Sequence, residues 1–266
     1  MSGSLTATAY LACNRFFRAI HGGSRALFEG FWLGLLSDSA IDLVSQRSYG
    51  AGDEYTGPAY LDSGLQFWEE IAVNRFFVPG SRVLVAAAGG GRELIALARA
   101  GYRADGFECS SPMVAAGKRA LAERGIAGSL IWAPPSSVPA INGPYDAAIV
   151  GWNGYTYISP RARRIAFLRS LLDHLNAGAP VLISGAIRSR KSQAAIWTPR
   201  VANAVRALAF RARVFTSGAT FPGRPRHEFT REQLNAELAE AGLSPAAFWR
   251  WGGFGAAIAL KCRPEV

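Results

Sequence analysis

Cysteine is scarce in this chain of 266 residues: Cys13, Cys109 and Cys262 are odd in number and far apart. A disulfide framework is therefore excluded, and the usage fits a reducing compartment, with the cytoplasm as the expected location. Histidine is equally scarce, with only His21, His174 and His227. No His, Cys and acid fall at metal-ligand spacing, so no metal is expected. Gly-Lys-Ser/Thr is missing, which excludes a P-loop, and so is the Gly-x-Ser-x-Gly elbow of α/β-hydrolases. Long apolar runs are missing too. The richest, Leu27 to Leu36, falls short of the ~20 residues of a membrane span. No basic n-region precedes it, and Asn14-Arg15 interrupts the apolar start, so no signal peptide is expected. Lysine, finally, is rare against arginine.

Apolar residues are abundant. Half the chain is hydrophobic and 11% aromatic, enough for a sizeable α/β core. The stretch from Ser81 to Glu108 organises that core. Val83 to Ala87 is a short apolar run suited to a strand buried on both faces. Gly89, Gly90 and Gly91 follow, then helical spacing through Leu94, Leu97 and Ala98, stopped by Gly101. A second strand, Arg103 to Phe107, ends in Glu108. Ligands of an open parallel sheet sit beyond the carboxyl ends of its strands, and glycines let the backbone approach them. A dinucleotide fingerprint would need a third glycine where Leu94 stands, so pyrophosphate binding is disfavoured. A plain strand–helix–strand unit with a tight turn is the alternative that needs no ligand.

The loop Ala87-Ala88-Gly89-Gly90-Gly91, with Glu108 closing the next strand, resembles the first motif of class I S-adenosylmethionine-dependent methyltransferases. The likeness extends to Ser110-Ser111-Pro112-Met113 at a helix start and to Gly143-Pro144-Tyr145-Asp146 before a strand. Further strands are expected at Ser129 to Ala133, Tyr145 to Val150, Pro180 to Ser184, Ala246 to Trp251 and Phe254 to Cys262, with helices at Ser110 to Arg124, Leu168 to Leu175 and Arg231 to Gly242. The resemblance implies a seven-stranded Rossmann-like sheet with helices on both faces over residues 76–266, and an insertion after the fifth strand at 186–228. It implies S-adenosylmethionine as cofactor, leaving S-adenosylhomocysteine. Glu108 would accept from the ribose, Met113 would lie under the adenine, and Ala87, Gly89, Gly90, Gly91, Cys109, Ser136, Trp152 and Tyr55 would line the cofactor site. Two family features are missing. The acid expected before the loop is Val85, and Ala133-Pro134-Pro135-Ser136 stands where an acid usually meets the adenine amine. A catalytically silent binding subunit therefore remains an alternative.

Residues 1–75 read as a helical cap and lid segment. Leu5, Phe16, Phe17, Ile20, Leu27, Phe28, Phe31, Trp32, Leu35 and Leu36 suggest two helices split at Gly22-Gly23. They suit a cap packed on the core, a helix on a membrane surface, or a roof over an apolar substrate. Between Ser48 and Ser63, glycines and Pro58 break regular structure, and Tyr55 or Tyr60 is placed to close a lid; Leu65 to Phe77 is a helix feeding the first strand. After the fourth strand, Gly151-Trp152-Asn153-Gly154-Tyr155-Thr156-Tyr157 would face donor and acceptor, which makes Asn153 and Tyr155 catalytic candidates.

Charge is unevenly spread. The net charge is +10, yet residues 161–231 hold 14 Arg or Lys against Asp173 and Glu228. Within that stretch Ile196, Trp197, Val201, Val205, Leu208 and Ala209 have helical spacing. Localised arginine suits a small anionic acceptor. Nucleic acid is the runner-up, since no nucleic-acid module is recognisable. His227, in this stretch, is the candidate general base.

Overall fold

The computed structural model describes residues 21, 23–49, 53–188 and 192–263. Leu5, Cys13, Phe16, Phe17, Ile20 and Gly22 lie outside the described residues, as do residues 50–52 and 189–191.

The first strand, β1 (Arg82–Ala86), lies at the middle of a seven-stranded sheet. β2 (Arg103–Glu108) and then β3 (Leu130–Trp132) pair parallel on one side. β4 (Ala147–Val150) and then β5 (Pro180–Ala186) pair parallel on the other. Two short strands, β6 (Ala219–Thr220) and β7 (Arg226–His227), form a separate hairpin. β8 (Leu243–Trp251) and β9 (Phe254–Lys261) close the large sheet, β9 running antiparallel to both β5 and β8. The order is β3-β2-β1-β4-β5-β9-β8. The strand order reverses between the parallel strands β1 and β4, which opens a crevice at their carboxyl ends, where an open α/β sheet binds ligands.

Strand alternation assigns the two faces. Val83, Val85, Ile149 and Leu182 pack against α4 (Phe67–Phe76), α5 (Arg92–Arg99) and α6 (Ser111–Glu123). Leu84, Ala86, Val150 and Ile183 pack against α7 (Arg161–Leu172) and α9 (Arg231–Ala241). The sequence places the start of α7 seven residues late, at Leu168. Arg161, Arg163 and Arg164 hide its apolar spacing, but each has a carboxylate partner: Glu240, Asp42 and Glu237 at 2.6, 2.8 and 2.7 Å.

The described N-terminal helices before α4 pack mainly away from the sheet. Helix α1 (residues 23–35) and α2 (Asp38–Tyr49) build a third core with α8 (Gln193–Leu208) and the chain beyond it, around Leu33, Ile41, Ala202, Phe215 and Phe221. The short helix α3 (Pro58–Leu61) follows a 3₁₀ turn at Asp53–Tyr55 and packs beside α5. Cap and insertion are thus one structural layer made from two distant parts of the chain.

Candidate functional site

The three glycines do three different things. Gly89 takes a left-handed backbone (φ +54°), and its N–H donates to Glu108 Oε2 at 3.1 Å. Gly90 makes room for the lid segment: a Cβ there would lie 2.3 Å from the Tyr55 carbonyl oxygen. Gly91 (φ +92°) turns the chain into α5. Glu108 Oε1 accepts from the N–H groups of Cys109 (2.8 Å) and Ser110 (2.9 Å). Three backbone donors therefore hold a nearly buried carboxylate at the end of β2. A carboxylate has about four acceptor positions, so one remains for a hydroxyl in the cleft. Burial, with Glu108 adding to it, pushes the Cys109 thiol far up, so it stays a neutral wall rather than a nucleophile.

Behind the turn lies a buried charge cluster that sequence reasoning missed. Arg92 is fully buried and bidentate to Glu69 (2.8 and 2.9 Å), with Glu93 at 2.7 Å and the Gly64 carbonyl at 2.6 Å. Its guanidinium also lies 5.6 Å from the Tyr60 ring and 5.9 Å from that of Trp152. With both acids ionised the cluster carries one net negative charge. Glu93 lines the cleft. Burial raises its carboxyl to about 7; Arg92 pulls the other way and Glu69 adds to the rise. The visible signal was Arg-Glu at the first two positions of α5, which also suits an ordinary helix start.

The cleft encloses about 950 Å³ of empty space, its mouth included. Ala87, Gly89, Glu108, Cys109, Met113 and Ser136 line it. Tyr55 and Trp152 line it too. Gly90 and Gly91 lie in the turn without lining the cleft. Four non-glycine residues near it, Ala87, Ser136, Trp152 and Asn153, have positive φ between 25° and 60°, and such strain concentrates at ligand sites. Asp42 and Ser45 of α2 reach the same cleft, so the cap contributes to its roof. Tyr157 lines the cleft as well, with the Arg224 guanidinium 4.3 Å from its ring and donating to its hydroxyl at 3.2 Å.

The structure does not bring the three catalytic candidates to the cleft. His227 lies in β7, buried, 4.5 Å from the Phe229 ring and against Gly218. Burial first, then Arg164, Arg188 and Arg161, holds its imidazole well below the usual range, so it is neutral there. Tyr155 is fully buried between Phe229, stacked at 5.5 Å, and Glu237, to which its hydroxyl donates at 2.8 Å. Asn153 is buried with its N–H on Ser184 Oγ at 2.9 Å, and its Oδ1 lacks a hydrogen-bond partner. Strand alternation in β7 and the 3₁₀ turn at Gly154–Tyr157 turn these side chains inward, away from the cleft. No group of three or more His, Cys, Asp or Glu among the described residues is placed to hold a metal.

No model of a known protein family matches the chain, and no curated protein matches it. Solved structures do. A Burkholderia thailandensis 1,6-didemethyltoxoflavin-N1-methyltransferase, determined with 1,6-didemethyltoxoflavin and S-adenosylhomocysteine bound, is 19% identical with a TM-score of 0.62, over 86% of this chain and 92% of that one. A Streptomyces caelestis methyltransferase is 13% identical (TM-score 0.56; 82% and 96% covered). A Methanosarcina mazei S-adenosylmethionine-dependent methyltransferase is 15% identical (TM-score 0.56; 75% and 99% covered). The chain therefore has the class I methyltransferase fold.

Proposed function

We propose that this chain transfers a methyl group from S-adenosylmethionine to a small, partly apolar acceptor that carries negative charge. The observation that carries the reading is the meeting of the Gly89 backbone with the Glu108 carboxylate at the switch point of the sheet, inside a cleft that both cap and core line. The residues present fit the cofactor. Glu108 keeps an acceptor position for a ribose hydroxyl. Met113 and the Pro134–Ser136 wall give an apolar slot for a purine ring. The Arg92–Glu69–Glu93 cluster supplies negative charge for the cationic methionine end, where Val85 offers none.

When bound, S-adenosylmethionine supplies a methyl group activated by the positive sulfonium. The chain's own residues then have three tasks. Trp152, Tyr55 and Tyr157 offer ring faces to a cation and exclude water. The roof of α2 and the lid segment hold the acceptor in line. Arg224, beside Tyr157, meets an anionic group on the acceptor. With His227 buried outside the cleft, an acceptor that loses a proton would pass it to water. Arg161, Arg163 and Arg164 already face carboxylates, which counts against a nucleic-acid groove built on this region.

Calorimetry with S-adenosylmethionine and S-adenosylhomocysteine tests the reading. Micromolar binding that Glu108→Ala weakens strongly is expected. Loss of all binding, or binding indifferent to Glu108, overturns it. A screen of small anionic acceptors with methyl-labelled cofactor then identifies the substrate, and binding without any transfer would favour a silent binding subunit.

A further inference from the structure

Helix α1 is apolar on both sides. Its inner side is committed: a Cβ at Gly30 would meet Val201 Cβ at 2.6 Å, and one at Gly34 the Ala202 carbonyl at 2.5 Å. The contacts advance together along both helices, so α1 and α8 run parallel in close contact. Arg211 seals their shared end by donating to the carbonyls of Gly34, Leu35 and Leu36.

Among the described residues the outer side has no such partner. Leu27, Phe28, Phe31, Trp32 and Leu35 are between 39% and 66% exposed. Helical spacing puts Leu27, Phe31 and Leu35 just outside the seam on α1, and Trp197, Ala204 and Leu208 just outside it on α8. The two rows adjoin. Beyond α8 the chain turns through Phe210, which is fully exposed on a left-handed backbone (φ 55°), beside Leu208 at 83%. A helix apolar all round is ordinarily covered, and an exposed apolar face of this extent marks an interaction site.

The rim indicates what covers it. Arg200 lies over Trp197 at 4.7 Å, Arg211 and Arg213 follow Phe210 in the chain, and Asp38 lies near Arg206. A second copy related by a twofold axis would set these arginines against their own counterparts. An anionic bilayer pairs with all of them while the aromatic side chains enter its interfacial zone. No helix among the described residues is long and apolar enough to cross a membrane, so the face lies on the bilayer. We infer that the α1–α8 face docks on the surface of an anionic phospholipid membrane, with Leu208 and Phe210 at its point of entry.

The test is co-sedimentation of the full chain with phosphatidylcholine vesicles, with and without 30% phosphatidylglycerol. Binding to the anionic vesicles alone, weakened by 0.5 M NaCl, is expected. The double variant L208S/F210S should lower the partition coefficient at least tenfold, and R200Q/R213Q several-fold, neither changing the melting temperature, because all four side chains lie on the surface. No binding, equal binding to neutral vesicles, or a concentration-dependent dimer broken by L208S/F210S overturns the proposal. None of these outcomes depends on cofactor binding, so the methyltransferase reading stands or falls separately.

Discussion

The cleft has a floor and a roof, built on different principles. The floor comes from one continuous stretch, β1 through β2, and positions its groups with backbone: three N–H donors fix Glu108, and glycine φ values set the turn. The roof comes from α2, the Tyr55 turn and the loop after β4, with Arg224 packed on Tyr157 of that loop. Side chains hold it together, through Arg163 on Asp42 and Arg224 on Tyr157. A floor set by backbone tolerates surface change but not change at its few fixed positions. A roof set by side chains can change specificity one residue at a time.

Five experiments would break or sharpen that division. Glu108→Ala should cost the most. It removes a charged acceptor worth roughly 1.5–3 kcal/mol to its hydroxyl partner, so calorimetry should show cofactor affinity down on the order of 10- to 100-fold. Gly90→Ala should come next. Its Cβ would press on the Tyr55 carbonyl, and such overpacking typically costs about 1–3 kcal/mol, visible as a lower Tm together with weaker cofactor binding. A normal Tm would mean that the lid lifts off the floor without cost.

Glu93→Gln should act through pH. With its carboxyl raised to about 7, Glu93 is largely neutral at pH 6 and ionised at pH 8. Cofactor affinity should therefore rise across that interval in the unsubstituted chain and stay flat in the variant. In the ligand-free chain the sign reverses. An acid whose folded value is raised binds its proton more tightly when folded, so stability should fall as pH climbs from the ordinary carboxyl range to about 7. Arg224→Gln should raise KM for the acceptor several-fold and leave cofactor affinity alone; the opposite pattern would assign Arg224 to the floor. Smallest of all, His227→Asn should leave kcat nearly unchanged. A loss of a hundredfold or more at normal Tm would return His227 to the chemistry.

What was legible in the sequence follows the same line. The strand, glycine turn and acid of β1 to β2 depend on neighbours in the chain, and the apolar runs of the other strands are equally local. The strands and the turn therefore read directly from residues such as Val83, Gly89 and Glu108, whereas the sheet order came through the family resemblance. The roof was hard to read because its partners are distant. Arg163 finds Asp42 across 121 positions, so the start of the basic stretch reads as available to a ligand although Arg161, Arg163 and Arg164 face acids. Glu93 resembled a helix-start acid until Arg92 and Glu69 met behind the turn. His227 stood in a loop-like run of arginines, and only the pairing of β6 with β7 turns it inward. A sign of the cap's docking was present as Gly30-x-x-x-Gly34, the spacing that lets two helices touch at the backbone.

The Arg211 clamp on the end of α1 joins positions up to 177 apart in the chain. At a synthesis rate of about 5–20 residues per second, the first helix leaves the ribosome roughly 10–35 s before the guanidinium that will fasten it. Throughout that interval it is a greasy rod with neither flank covered. A lipid surface or a chaperone that shields it meanwhile would govern the yield of folded protein, and removing Arg211 should show first as loss of soluble material during expression.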